Sequence, residues 1–289
     1  MIPNQFDYYA PTSLDQAVAL LRDNGDRAKL LAGGHSLLPL MKLRVAAPDV
    51  LIDITGLSGL RDIRVEGDRL LVGGLSTYAQ IATSPAVRES VAVLAEAAAA
   101  IGDQQVRNRG TIGGNIAHAD PASDLPAVVL ALEAEIVVIG PAGQRTIAAR
   151  DFFQGPFATA LGADEILTEV RVPILTRGTG GAYAKCENRA SGYALVGVAA
   201  VISVSNGSCS AARIGITGAG ASATRAAAAE AALVGSSLDD ASITAAVDTV
   251  PNGIDLMSDL HASTEYRAAL LKVYARRAIQ SATAAARRG

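Results

Sequence analysis

The chain opens on a helical stripe: Ala17, Leu20 and Leu21 share one face of a run that begins at Thr12-Ser13-Leu14-Asp15 and stops at Asn24-Gly25. Lys29 to Ala32 reads as a buried strand that enters a glycine pair, Gly33-Gly34. Leu37 to Arg44 then predicts a short helix despite Pro39, and Val50 to Ile54 a strand. From about Gly56 the pattern shifts to β, with Leu60 to Val65 and Arg69 to Gly73 forming a hairpin around Gly67-Asp68. A helix from Tyr78 and an alanine-rich helix from Val87 to Ala100 follow. A second glycine-rich stretch runs from Ile101 to Asn115.

Ser123 to Leu132 predicts a helix with a cap in Ala122-Ser123-Asp124. Glu135 to Ile139 and Glu165 to Val172 read as strands, the latter stopped by Pro173. Arg177-Gly178-Thr179-Gly180-Gly181 reads as a linker. Strands at Ala182 to Lys185, Leu195 to Ser205 and Ser210 to Thr217 precede alanine-rich helices that end in Tyr266 to Ala286. Strands grouped before helices make this last part an α+β module, and no internal repeat is evident.

Composition narrows what such a chain does. Its 289 residues predict two or three compact units. A net charge of -3, no Trp and only 4% aromatic residues argue against nucleic-acid or anionic-membrane binding. The longest apolar stretches, such as Leu195 to Val204, fall short of a membrane span, and the N-terminal residues lack the features of a signal peptide, so a cytoplasmic protein is expected. Two cysteines, Cys186 and Cys209, are too few for an iron–sulfur cluster or a zinc site, and read as free thiols, with a disulfide as the alternative.

The chemistry centres on glycine. Ala32-Gly33-Gly34-His35-Ser36 and Thr111-Ile112-Gly113-Gly114-Asn115 each let the backbone approach a ligand and offer amide, hydroxyl and side-chain donors. Hydrogen bonds to charged groups contribute roughly 1.5–3 kcal/mol each, so converging donors can hold a pyrophosphate with little help from Lys or Arg. Two ordinary glycine turns are the alternative. A third site, Gly218-Ala219-Gly220-Ala221-Ser222-Ala223, fits a relaxed dinucleotide fingerprint, but the acidic strand end expected about twenty residues later is missing. His118, Asp120 and Asp124 are a weak ligand set for a metal. Asp124 caps a helix or binds a ribose hydroxyl. The spacing of His35, His118 and His261 signals no nucleophile–base arrangement.

Leu31-Ala32-Gly33-Gly34-His35-Ser36, Thr111-Ile112-Gly113-Gly114-Asn115 and Asp120-Pro121-Ala122-Ser123-Asp124-Leu125-Pro126 resemble the FAD-binding medium subunits of molybdenum hydroxylases, the xanthine oxidase family, and most of all those of carbon monoxide dehydrogenases. The likeness runs from Pro3-Asn4-Gln5-Phe6 to Ser263-Thr264-Glu265-Tyr266-Arg267. It implies an α+β chain with a vanillyl-alcohol-oxidase-type (PCMH) FAD-binding domain made of two subdomains, residues 1–55 and 56–176. A C-terminal domain, 177–289, would carry a small antiparallel sheet and helices.

By the same resemblance, noncovalent FAD would be held at the pyrophosphate by Ala32, Gly33, Gly34, His35 and Ser36 and by Thr111, Ile112, Gly113, Gly114 and Asn115. Leu30 and Leu31 would form the approach strand, with Leu37 just beyond the first glycine pair. Asp124 would meet the ribityl or ribose part, Leu161 and Lys185 the isoalloxazine and its pyrimidine edge, and Tyr193 one flavin face. Tyr193 also fits a core strand residue, and Lys185 a solvated strand-end charge. The stretch Lys185-Cys186-Glu187-Asn188-Arg189-Ala190-Ser191-Gly192-Tyr193 departs from the more basic segment of the carbon monoxide enzymes.

The resemblance further implies an electron-transfer subunit without a catalytic residue or metal of its own. A small [2Fe–2S] subunit and a large molybdenum subunit would be its partners in a dimer of heterotrimers, and an external acceptor such as a quinone or NAD would take the electrons. Peripheral membrane association would come through the complex. The flavoprotein subunit of a xanthine, aldehyde or N-heterocycle dehydrogenase, a self-contained FAD or NAD oxidoreductase, and a non-catalytic nucleotide-binding scaffold subunit are the other readings.

Overall fold

Three larger sheets and one two-stranded sheet organise the chain in the computed structural model, which describes residues 2–288. Met1 and Gly289, the outer bounds of the first and last expected units, lie outside the described residues.

The first sheet is small and parallel. Its elements are β1 (Asp7–Tyr9), α1 (Leu14–Asn24), β2 (Ala28–Leu31), α2 (Leu37–Lys42) and β3 (Val50–Asp53), in strand order β1-β3-β2. The Ser13 side chain caps α1 by accepting from the Gln16 amide at 3.2 Å, and Gly25, at φ 53°, ends it. Ala17, Val18 and Leu21 bury against Ala28, Val50 and Ile52, which fixes the direction in which β2 delivers the chain to Gly33. The strand β1 has no alternating pattern and all three of its residues are exposed; only its pairing with β3 creates it.

The second sheet is antiparallel. It comprises β4 (Ile63–Glu66), β5 (Arg69–Gly73), β6 (Glu135–Gly140), β7 (Gly143–Ala148) and β10 (Ile166–Pro173), with β10 central in the order β4-β5-β10-β6-β7. The expected hairpin about Gly67-Asp68 is present, with Glu66 opposite Arg69. Between β5 and β6 run α3 (Tyr78–Thr83), α4 (Pro85–Ser90), α5 (Ala92–Ala99), α6 (Gln104–Arg109), α7 (Ile112–His118) and α8 (Asp124–Ala131). The predicted single helix over 87–100 is two, broken at Val91, whose φ of -149° leaves the helical region. After β7 come a short helix α9 (Ala149–Phe152) and a hairpin, β8 (Phe153–Gly155) with β9 (Ala158–Thr159).

The second glycine stretch is helical rather than a loop. Asp103 caps α6, accepting from the Val106 amide at 2.9 Å, and Thr111 caps α7, accepting from the Gly114 amide at 3.2 Å. The low helix propensity of glycine hides α7 in the sequence, while its cap residue is in plain view.

The third sheet is antiparallel, in the order β11 (Thr179–Glu187), β12 (Ala194–Ser205), β13 (Ser208–Thr217), β14 (Thr224–Arg225). Helices α10 (Ala227–Leu233), α11 (Asp240–Asp248) and α12 (Thr264–Arg288) cover it, and Leu271, Ala275, Ala278, Ile279 and Ala282 of α12 pack on Val196, Val198, Ala200 and Ile202. Three residues of the expected linker, Thr179, Gly180 and Gly181, belong to β11. A side chain at Gly180 would strike the Ala282 carbonyl of α12, so that glycine permits close packing rather than flexibility. The Gly218 turn leads into β14 and not directly into a helix. Its amide donates to the Pro121 carbonyl at 2.8 Å and its carbonyl accepts from Arg267 Nη1 at 2.5 Å, so this turn joins structural elements. No helix among the described residues is long and apolar enough to cross a membrane.

Candidate functional site

A cleft of about 760 Å³ opens where the three sheets' connections meet, within the size range of small-molecule sites. Residues of both glycine segments line it, together with the start of α8, the stretch 161–163 after β9, and Ser191 to Tyr193 of the β11–β12 loop.

The first segment supplies donors. Leaving β2, the backbone passes Gly33 and Gly34 before α2 begins, and Gly34 holds φ 77°. Among the described residues, no backbone hydrogen bond is donated by the amides of Gly33, Gly34, His35 or Ser36. All four residues line the cleft. A run of amides without protein acceptors on a concave wall is an anion-binding arrangement, because successive backbone N–H groups can share one anionic acceptor. His35 Nε2 lies 3.2 Å from the Gln105 carbonyl, which ties the segment to α6.

The second segment works differently. Four of its amides are already used: Ile112 donates to Ser76 (3.0 Å), Gly113 to Gly74 (2.9 Å), Gly114 to the Thr111 hydroxyl and Asn115 to the Thr111 carbonyl (3.0 Å). A Cβ on Gly113 would lie 2.6 Å from the Gly74 carbonyl oxygen, so this glycine serves backbone packing. Thr111, Gly113, Gly114 and Asn115 are the residues of the segment that line the cleft, so its polar side chains, not free amides, are what it can add there. Asn115 Nδ2 donates to Tyr78 Oη at 2.8 Å, and Ser123 Oγ donates to Asn115 Oδ1 at 2.7 Å. The Ser123 hydroxyl is thereby diverted from capping α8, and Asp124 is the first residue of that helix rather than its cap.

The carboxylate of Asp124 reaches the cleft wall but is claimed from behind. Tyr183 Oη donates to it at 2.6 Å and Lys185 Nζ pairs with it at 3.0 Å, the Lys185 and Asp124 side chains being 6% and 5% exposed. Lys185 also donates to the Ala100 carbonyl at 3.1 Å. Burial pushes the Asp124 carboxyl above its ordinary range, while Lys185 and Tyr183 pull the other way. Tyr183 and Lys185 alternate on one face of β11, a period-two signal that was available in the sequence.

Of the anticipated residues, Leu30, Ala32, Gly33, Gly34, His35, Ser36 and Leu37 line the cleft, as do Thr111, Gly113, Gly114, Asn115, Asp124, Leu161 and Tyr193. Leu31, Ile112 and Lys185 do not. Ile112 is fully buried in the hydrophobic cluster beneath the second sheet and its helices. Lys185 stands behind Asp124, neither solvated nor on the cleft surface. Tyr193 is 42% exposed, so it is not a core residue of a strand.

Among the lining residues that were not anticipated as cofactor ligands, three carry aromatic rings: Tyr78, His118 and Phe157. The rings of His118 and Phe157 lie 5.1 Å apart, and Phe157 adopts φ 56°, a conformation rare for an aromatic residue. Burial lowers the His118 pKa against the opposing charge of Asp120.

This α+β fold, with a cleft that joins an anion-binding backbone to an aromatic mouth, defines a protein that holds a nucleotide-type cofactor. Comparison specifies which. The family model described as the FAD binding domain in molybdopterin dehydrogenase matches residues 4–175, and that of the CO dehydrogenase flavoprotein C-terminal domain matches residues 181–282. The chain is 42% identical over 284 residues to the carbon monoxide dehydrogenase medium chain of Hydrogenophaga pseudoflava, covering 98% of this chain and 99% of that one. It is 38% identical over 288 residues to the 6-hydroxypseudooxynicotine dehydrogenase complex subunit alpha of Paenarthrobacter nicotinovorans, covering 99% and 97%. The solved carbon monoxide dehydrogenase from Hydrogenophaga pseudoflava lacking the Mo-pyranopterin moiety superposes with a TM-score of 0.96 at 45% identity, over 98% of this chain and 99% of that chain.

This chain belongs to the FAD-binding flavoprotein subunits of the molybdopterin dehydrogenases, a family of oxidoreductases whose FAD domain is of the PCMH type.

Proposed function

We propose that this chain is the electron-output subunit of a molybdenum hydroxylase, holding FAD noncovalently in the cleft. The observation that carries the reading is the set of unsatisfied amides at Gly33, Gly34, His35 and Ser36 on the cleft wall. The residues fit the cofactor chemically. Four backbone donors suit a pyrophosphate, and the missing side chain at Gly33 leaves room for that backbone to lie against Arg109 and Gly110. Thr111 and Asn115 add polar side chains opposite, and Asp124 offers an acceptor for a sugar hydroxyl.

When bound, FAD supplies the redox chemistry; the protein binds, orients and shields it. Asp124, fixed by Lys185 and Tyr183, gives the cleft a rigid wall. Leu161 and the exposed Tyr193 border the part of the cleft suited to the ring system, where Tyr193 limits access from solvent. No general acid or nucleophile is required of this chain.

We further propose a small [2Fe–2S] subunit as electron donor, a large molybdenum subunit as the site of substrate oxidation, and a dimer of such heterotrimers. Carbon monoxide is the favoured substrate of the complex. An N-heterocycle is the second reading, supported by the nearly equal identity to the 6-hydroxypseudooxynicotine dehydrogenase subunit. The acceptor is an external quinone, NAD or similar carrier.

The test is to purify the chain with its co-expressed neighbours and add carbon monoxide or N-heterocycles anaerobically. A yellow complex whose flavin bleaches with one of them supports the reading, and the identity of that substrate decides between the two. A folded complex free of flavin would overturn it.

A further inference from the structure

Tyr78 is the first residue of α3, and its ring packs against Gly110, where a Cβ would lie 2.9 Å from its Cζ. The side chain is buried, 6% exposed, yet it lines the cleft. Its hydrogen bonding has a fixed direction. Ser123 Oγ donates to Asn115 Oδ1 and Asn115 Nδ2 donates to Tyr78 Oη. The phenol therefore acts as the acceptor toward Asn115, and among the described residues nothing accepts its own proton. A chain of three polar groups thus ends in a phenol whose proton has no acceptor among the described residues, on a residue that lines the cleft. Burial raises the phenol far above its ordinary range, so the proton stays in place at any physiological pH.

The position indicates which part of a ligand that donor meets. Gly110 touches Tyr78, and the Cα of Gly110 would lie 2.9 Å from a Cβ on Gly33. Tyr78 and the residues Gly33 to Ser36, whose amides have no protein acceptor, line the same cleft, and Gly110 is in close approach to both Tyr78 and Gly33. A buried donor without an acceptor is costly, and a charged phosphate oxygen is the strongest partner it can find.

We propose that Tyr78 is a further cofactor-binding residue, donating its phenolic hydrogen bond to a pyrophosphate oxygen of FAD. Nothing in the sequence motifs points to it, since it lies outside both glycine segments. The assignment rests on the reading of the cleft as the FAD site.

The full-length chain, stripped of flavin, is titrated calorimetrically with FAD, ADP and riboflavin, as wild type and as Tyr78→Phe. The variant is expected to bind FAD and ADP about tenfold more weakly, the scale of one hydrogen bond to a charged group, with riboflavin unchanged. The 31P resonances of bound FAD should also shift between the two proteins. Equal FAD affinity overturns the assignment, as does an equal loss for all three ligands, which marks Tyr78 as wall packing alone. A wild-type chain that binds no FAD overturns the reading of the cleft itself, and is thereby told apart from a failure at Tyr78.

Discussion

Gly33 and Gly110, far apart in sequence, lie so close that a Cβ on the first would sit 2.9 Å from the Cα of the second and collide with the Arg109 carbonyl. The two glycine segments are therefore one structural unit, with the first presenting its amides and the second supplying the surface behind them. Replacing Gly33 by Val should push the segments apart. Overpacking of this kind costs roughly 1–3 kcal/mol, and here it falls on the amides themselves. Flavin content after purification should drop below a tenth of wild type while the fold persists. Gly113→Val should behave differently, because its contact is the Gly74 carbonyl: the apoprotein's melting temperature should fall first, read by calorimetry.

Lys185 and Asp124 should not be separable. Removing the cation alone, as Lys185→Met, leaves a buried carboxylate whose partner is gone and should destabilise the chain by about 3–5 kcal/mol. Adding Asp124→Asn to that variant should recover a large part of the loss. A double-mutant cycle in urea measures the coupling; strictly additive effects would show the pair to be energetically independent.

Arg267 is a second buried cation, with Nη1 on the carbonyls of Leu195 (2.6 Å) and Gly218 and Nη2 on Asp259 (2.6 Å). Arg267→Met orphans two backbone carbonyls and should cost about 3 kcal/mol, since each buried unsatisfied group costs roughly 1–3 kcal/mol. Because the Gly218 turn also bonds to Pro121, the loss should loosen the approach to Asp124. Faster hydrogen exchange at Gly218 and Ala194 is the expected signature.

His118 gives the fold a pH dependence. Burial lowers its pKa in the folded state, so folding favours the neutral ring. That contribution is complete above the ordinary value of 6.5 and is lost as pH falls through the lowered folded value. Melting temperature should decline on acidification from pH 7.5 to 5 more steeply in wild type than in His118→Gln. Parallel curves would remove His118 from the account.

Much of this architecture was legible because it rests on local signals. The α1 cap at Ser13, the Gly67-Asp68 hairpin and the long strands β12 and β13 each carry their own period or turn residue. What escaped depends on distant partners. The strand β1 is exposed and exists through β3; Gly180 reads as a linker until α12 is laid over it; α7 begins with residues that disfavour helices. The site divides in the same way. The glycine pairs marked the cleft, but their sequence could not say that one pair keeps its amides free while the other spends them on the Gly74 carbonyl and the Thr111 hydroxyl. Nor could it place Tyr78 beside Asn115, a contact between residues 37 positions apart.

On the reading proposed here, the amides of Gly33 to Ser36 hold FAD. Titrating flavin-free chain with FAD, as wild type and as Gly33→Val, tests it most directly. Stoichiometric, noncovalent binding by the wild type and its loss in a variant that still unfolds cooperatively is the predicted result. Undiminished binding in Gly33→Val would contradict it.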